Sequence, residues 1–71
     1  MVDMQFISSS NVEQIGYDDQ YSELHVKFLS SPFTYVYHSV PRSVYDDLMA
    51  APSKGSFLAQ NVYKNYSFDK R

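Results

Sequence analysis

From Glu23 to Phe28 the chain alternates without interruption, with Leu24, Val26 and Phe28 on one side and Glu23, His25 and Lys27 on the other. A period of two marks an extended strand with one buried and one wet face. After the turn "SSP" the pattern resumes: Phe33, Tyr35 and Tyr37 share one face, and Thr34, Val36 and His38 the other. Upstream, "VEQIGYD" sets Ile15 and Tyr17 on a common face, with Gly16 between them for a bend or a close backbone approach. "DDQYS" supplies turn chemistry, because aspartate side chains satisfy nearby backbone groups. Links this short join neighbouring strands antiparallel, so the three runs form a meander. The apolar patch Met4, Phe6 and Ile7 leaves open a further strand before the serine-rich turn.

Past Pro41 the period lengthens to that of a helix. Val44, Tyr45, Leu48 and Met49 make one apolar stripe in "PRSVYDDLMAA", and Pro41 suits the first helical position, where its missing N–H costs nothing. Pro52 ends that helix, because the residue before a proline avoids helical geometry. Ser53 then caps a second helix, which turns Phe57, Leu58 and Val62 inward. The stretch "NYSFDKR", with Tyr66 and Phe68 alternating, either adds a strand or frays. The fold class that follows is α+β: a three-stranded antiparallel β-meander with two short α-helices packed on one face. The expected core is Ile15, Tyr17, Leu24, Val26, Phe28, Phe33, Tyr35, Tyr37, Val44, Leu48, Phe57 and Val62.

Seventy-one residues make a single domain, 1–71. A chain of this size buries only about 60% of its unfolded surface, so seven Tyr and five Phe serve as efficient core filling, and dimerisation stays open. There is no Cys, which excludes disulfides and thiolate chemistry. No signal-peptide pattern and no membrane-length apolar run is present, so the expectation is a soluble, cytoplasmic protein without a membrane partner.

Catalytic constellations are missing. His25 and His38 are the only strong metal-ligand or general-base candidates, and without Cys or a carboxylate at fixed spacing they read as surface imidazoles. Asp46 and Asp47 are about 100° apart on their helix, whereas paired acid/base work needs carboxylates facing each other. The serines of "SSSN" have no base in a foreseeable position. The expectation is a non-enzymatic protein with no catalytic residue, no metal and no small-molecule cofactor.

Charge is unevenly spread. Residues 1–53 hold two basic and seven acidic side chains, while residues 54–71 hold four basic and one acidic. Such asymmetry marks either a solvated tail or an anionic partner. Rings on a small sheet can stack unpaired bases, given a basic groove beside them. Only Lys27 is basic within the sheet, and the apolar face of Leu24, Val26 and Phe28 draws Phe33, Tyr35 and Tyr37 under the helices with it. The pattern therefore favours Tyr35 and Tyr37 as the floor of the core, with their hydroxyls at the rim.

"SSNVEQIGYD", "LHVKF" and "YVYHSVPRSVYDDLMAAPSKGSF", in this order, resemble the KTSC domain, over about residues 8–66, with 1–7 and 67–71 as flanking ends. The marks are Tyr35-x-Tyr37, the Val40-Pro41 helix opening, and Ser53-Lys54-Gly55. That family occurs as stand-alone bacterial proteins and at the C-terminus of some lysyl-tRNA synthetases. It has no established activity, and RNA binding has been put forward for it on the strength of that fusion. The resemblance implies an uncharacterised binding module with RNA (tRNA) as partner, and it points to Tyr35, Tyr37, Ser53, Lys54, Gly55, Phe57 and Tyr66. With the charge of Lys64 and the C-terminal basic residues, the candidate binding residues are Tyr35, Tyr37, Ser53, Lys54, Gly55, Lys64 and Tyr66. Between Phe57 and Tyr66 this chain reads "LAQNVYKN", where Lys64 is the one basic residue, so the counterion-release term behind phosphate binding is reduced. The alternative is a protein-interaction or self-associating module, in which spare aromatic surface such as Tyr45, Tyr63 and Phe68 meets a protein partner or forms a homodimer.

Overall fold

A computed structural model describes residues 2–71. The element order is β1 (Met4–Phe6), β2 (Val12–Asp18), β3 (Glu23–Phe28), β4 (Thr34–Tyr37), α1 (Arg42–Ala50), α2 (Lys54–Asn61) and β5 (Phe68–Lys70). The sheet is antiparallel throughout and has five strands in the order β1-β2-β3-β4-β5. The expected meander is its centre, and the expectation of three strands is corrected to five. Each edge strand has only three residues, too few to carry an alternation readable without its neighbour. β1 is held by pairing Met4 to Gly16, and β5 by pairing Phe68 to Tyr37 and Lys70 to Tyr35.

Gly16 serves a close approach rather than a bend, since β2 continues straight through it. A Cβ there would lie 2.6 Å from Met4 Sδ and 2.8 Å from the Asp3 carbonyl oxygen. The turn after β2 works as its aspartates foretell: Asp18 Oδ1 accepts the amides of Gln20 and Tyr21, at 2.9 and 3.3 Å. Ser22 and Ser39 both take left-handed backbone conformations, with φ of 54° and 57°. The Val40 amide donates to the Ser22 carbonyl at 2.9 Å, and the Tyr17 hydroxyl donates to the Val40 carbonyl. These bonds fix the crossing from sheet to helix.

Pro41 stands one residue earlier than expected. It is the N-cap of α1, with ψ of 149°, and the helix starts at Arg42. Ala51, before Pro52, is extended with ψ of 140°, as the proline rule requires. Ser53 caps α2 by accepting the Ser56 amide at 3.3 Å.

The core is Val12, Ile15, Leu24, Val26, Tyr37, Val40, Leu48, Leu58 and Val62, all fully or almost fully buried. Tyr17, Phe28, Tyr35, Val44 and Phe57, expected inside, are partly buried and pack against it. Phe33 does not belong to it: the ring is 46% exposed, because it precedes β4 and extends past the cover of the helices. The face of β3 and β4 away from the helices is also drier than alternation implies. Val36 is fully buried there and the His25 side chain is only 14% exposed.

Candidate binding groove

The helix-facing side of the sheet divides into two parts. Over β2 and β3, aliphatic side chains share one fully buried cluster with Leu48, Leu58 and Val62. Over β4 and β5 the strands present Tyr35, Tyr37 and Phe68, and these three form a closed circuit of five rings with Phe28 of β3 and Tyr63 after α2. Phe28 meets Tyr35 edge-on at 5.4 Å between centroids, and Tyr35 stacks on Phe68 at 5.3 Å. Phe68 meets Tyr37 at 5.4 Å, Tyr37 stacks on Tyr63 at 6.2 Å, and Tyr63 returns to Phe28 at 6.2 Å. These are the offset and edge-to-face spacings that ring quadrupoles favour. The five rings, with Ser30 and Ser31, line an open groove of about 310 Å³.

The register explains the circuit. Tyr37 pairs with Leu24 on one side and Phe68 on the other, and Tyr35 lies between Val26 and Lys70. Each tyrosine therefore has an aliphatic neighbour toward the core and a β5 side chain toward the open edge. Tyr37 is 3% exposed and forms the floor, while Phe68 and Tyr63 are 45% and 37% exposed and form the walls. Burial first, and then the neighbouring Tyr63 and Tyr35 hydroxyls, pushes the Tyr37 phenol up to about 12. Burial raises Tyr63 as well. Both phenols therefore remain hydrogen-bond donors at neutral pH.

Cations border the groove. The Lys70 ammonium lies 5.7 Å from the centroids of both Phe33 and Tyr35, within cation–π range. Lys27 Nζ donates to the carbonyl of Ser31, a groove residue, at 2.8 Å. Among the described residues no carboxylate lines the groove and none lies within ion-pair distance of Lys70.

Of the residues singled out from the sequence, Tyr35 and Tyr37 line this groove, and Lys64, exposed, follows Tyr63 in the chain. Ser53, Lys54 and Gly55 lie elsewhere, at the junction of the helices. Ser53 is a cap, Lys54 Nζ donates to the Ala51 carbonyl at 2.9 Å, and a Cβ on Gly55 would lie 2.9 Å from Asn11 Oδ1. Their contacts are those of a helix junction fastened to the Ser9–Asn11 turn. Tyr66 is partly buried and packs against the core. The sequence marks Tyr63 and Phe68 as spare aromatic surface and the C-terminal basic residues, Lys70 among them, as charge for a partner, and it puts Phe28 in the core, but it does not bring these four to one groove. Three of them come from outside the meander's alternation, and only the pairing of β5 could have placed Phe68 and Lys70.

A larger groove, of about 470 Å³, lies on the opposite face, lined by residues that include Glu23, His25, Val36 and Arg71. Its Glu23 carboxylate is already engaged, although the buried Nε2 of His25 makes no hydrogen bond. Glu23 stands 3.5 Å from His25, 3.3 Å from His38 and 3.9 Å from Arg71. The two histidines are thus near each other, as expected, but they are grouped round a carboxylate instead of standing as separate surface imidazoles. Among the described residues no three such groups are placed to hold a metal ion, and no helix is long and apolar enough to cross a membrane. The smaller groove is the better candidate because its rings and its ammonium have surface left to offer.

Comparison with known proteins adds three findings. The family model of the KTSC domain matches residues 8–66. A protein of Tsukamurella paurometabola, which carries no functional name, is 44% identical over 55 residues, 78% of this chain and 81% of its own length. The crystal structure of a KTSC domain protein from Yersinia pestis superposes with a TM-score of 0.94 at 31% identity, and covers 100% of this chain and 99% of that one.

Proposed function

The chain belongs to the KTSC domain family, and from that premise we propose that it is a non-enzymatic binding module whose working surface is the ring-lined groove and whose ligand is unpaired RNA. One observation carries the reading: the rings of Phe33, Tyr63 and Phe68 are each a third to a half exposed, and Phe33 and the groove ring Tyr35 lie beside an ammonium that has no carboxylate partner among the described residues. Stacking on such rings is worth about 1–3 kcal/mol per base, and a neighbouring ammonium adds phosphate attraction. The carboxylates of Asp18 and Glu23 border the opposite groove, so a polyanion approaching the rings meets the basic side of the sheet. Lys64 adds to that charge, while Lys27 is paired with Glu13 at 3.3 Å and Lys54 is occupied at the helix junction.

Titration of short single-stranded RNA against the full chain at low and moderate salt tests this. Phe68→Ala should weaken binding about tenfold, and Lys70→Ala should lessen the dependence on log salt by about 0.7. No binding at low salt would overturn the RNA reading. Salt-indifferent, concentration-dependent self-association that Phe68→Ala abolishes would assign the groove to a second copy of the chain.

A further inference from the structure

Three tyrosines of the ring-lined groove carry hydroxyls that the fold does not use. A phenol set against a core ordinarily finds a partner, because a buried hydroxyl left unpaired is costly. Tyr17 does so, donating to the Val40 carbonyl, and Tyr21 accepts from the Gln20 side-chain amide. Tyr35, Tyr37 and Tyr63, which line the groove, have no such partner among the described residues. Tyr37 is the sharpest case, since only 3% of the residue is exposed. Its oxygen is nonetheless not sealed in: among the described residues the sealed side-chain atom without a partner is His25 Nε2, on the opposite face. The Tyr37 hydroxyl therefore opens onto the groove from its floor.

Two ring walls stand over that floor. Phe68 and Tyr63 flank Tyr37 at 5.4 and 6.2 Å between centroids, and both keep ring surface exposed. The Lys70 ammonium lies over Phe33 as well as Tyr35, at 5.7 Å from each. Phe33 is not among the groove-lining residues, so this charge marks the margin and not the floor. No ionised side chain lines the groove among the described residues. A group that reaches the floor must therefore be uncharged, because a charge would lose its hydration with nothing to replace it. It must be flat, to lie against the walls. It must also carry a polar atom on its leading edge, to replace the water that the phenol gives up. Tyr37 and Tyr63 hold their protons at neutral pH, so the groove offers O–H donors to that atom.

A nucleobase meets all three conditions, and its sugar and phosphate stay at the margin beside Lys70. We propose that the groove takes one nucleobase edge-first: the base stacks on Phe68 and Tyr63, and a carbonyl on its leading edge accepts from the Tyr37 hydroxyl. Tyr37 is then a binding residue through its hydroxyl and not only the packing ring that its burial implies. A purely apolar ring of the same shape binds less well, since it strips the phenol of water and returns no hydrogen bond. The choice of ligand rests on the function proposed above; the inference adds which part of that ligand is read, and by which atom.

NMR titration of the full chain with uridine, which has base carbonyls but no phosphate, tests it. Stacking and one hydrogen bond give a dissociation constant on the order of 10 mM, so titration to about 50 mM suffices. Signals of Tyr37, Tyr63 and Phe68 should shift and saturate. Tyr37→Phe, which keeps the ring, should weaken uridine about fivefold, the size of one net hydrogen bond. It should weaken a short oligouridylate by the same factor and leave the salt dependence of that RNA unchanged. Its thermal unfolding should match wild type, because the lost hydroxyl has no protein partner. Tyr17→Phe is the control: it loses the bond to Val40, so stability should fall while uridine affinity holds. Wild-type affinity in Tyr37→Phe, or no shift with uridine, would overturn the proposal. Uridine binding that depends on Tyr37 without any RNA binding removes the RNA reading and leaves the base site. RNA binding that Tyr37→Phe leaves at full strength removes the base site alone.

Discussion

Two cations in this molecule each lie over a pair of aromatic rings, and they have different fates. Arg42 lies 5.9 Å from the Tyr17 centroid and 5.5 Å from that of Tyr45, two rings stacked at 5.2 Å. It also meets Asp19 at 2.8 Å and Asp46 at 3.1 Å, contacts that raise the affinity of its guanidinium for the proton. Lys70 lies over Phe33 and Tyr35 with no such partner among the described residues. The first arrangement fastens α1 to the turn after β2, so its charge is neutralised where the fold needs it. The second leaves both charge and ring surface unspent. The same division separates the aliphatic, closed half of the sheet from its aromatic, open half, and it shows where a small domain keeps surface for a partner.

The largest expected effect would come from the closed half. Leu48→Ala or Leu58→Ala empties a fully buried site and should cost about 2–5 kcal/mol in chemical denaturation. An equal loss from Phe68→Ala would break the comparison, since a half-exposed wall ring should cost about 1 kcal/mol. Between these lies Gly16→Ala. Its Cβ would press on Met4 Sδ and the Asp3 carbonyl, so about 1–3 kcal/mol should be lost as β1 shifts. The exchange protection of β1 amides would report the shift.

Alkaline titration sharpens the comparison from the groove floor. Tyr37 holds its proton more tightly in the fold, up to about 12 against an ordinary 10.0. The stability linked to this is complete below pH 10 and is lost as the pH rises through the folded value. Phenolate absorbance should therefore show Tyr37 as the last of two late-titrating rings, after Tyr63, and Tyr37→Phe should remove that last step. The smallest effect separates the two cations. Arg42→Met should lower stability measurably at low salt, and Lys70→Met should leave stability unchanged while weakening RNA binding.

The central meander, both helices and the family were legible because each rests on local signals: strict alternation at Leu24–Phe28, the proline stop at Pro52 and the serine cap at Ser53. The edge strands were not, because three residues such as Phe68–Lys70 acquire a face only from the strand they pair with. Pro41 was placed one residue late because cap and first-turn positions tolerate proline alike in sequence. Phe33 was drawn into the core by its spacing from Tyr35, although spacing gives the side of a strand and not how far the cover reaches. The Tyr-x-Tyr pair was rightly read as facing the helices. What sequence left out is that the helices stop short, so that Tyr37 becomes a floor and Phe68 a wall.

NMR-detected titration of the full chain with a short single-stranded RNA at low salt tests the central claim most directly. The open aromatic half predicts shifts confined to Phe33, Tyr35, Tyr37, Tyr63, Phe68 and Lys70, with Leu48, Leu58 and Val26 unmoved. The absence of any shift, or shifts centred on the helix junction at Ser53–Gly55, would contradict it.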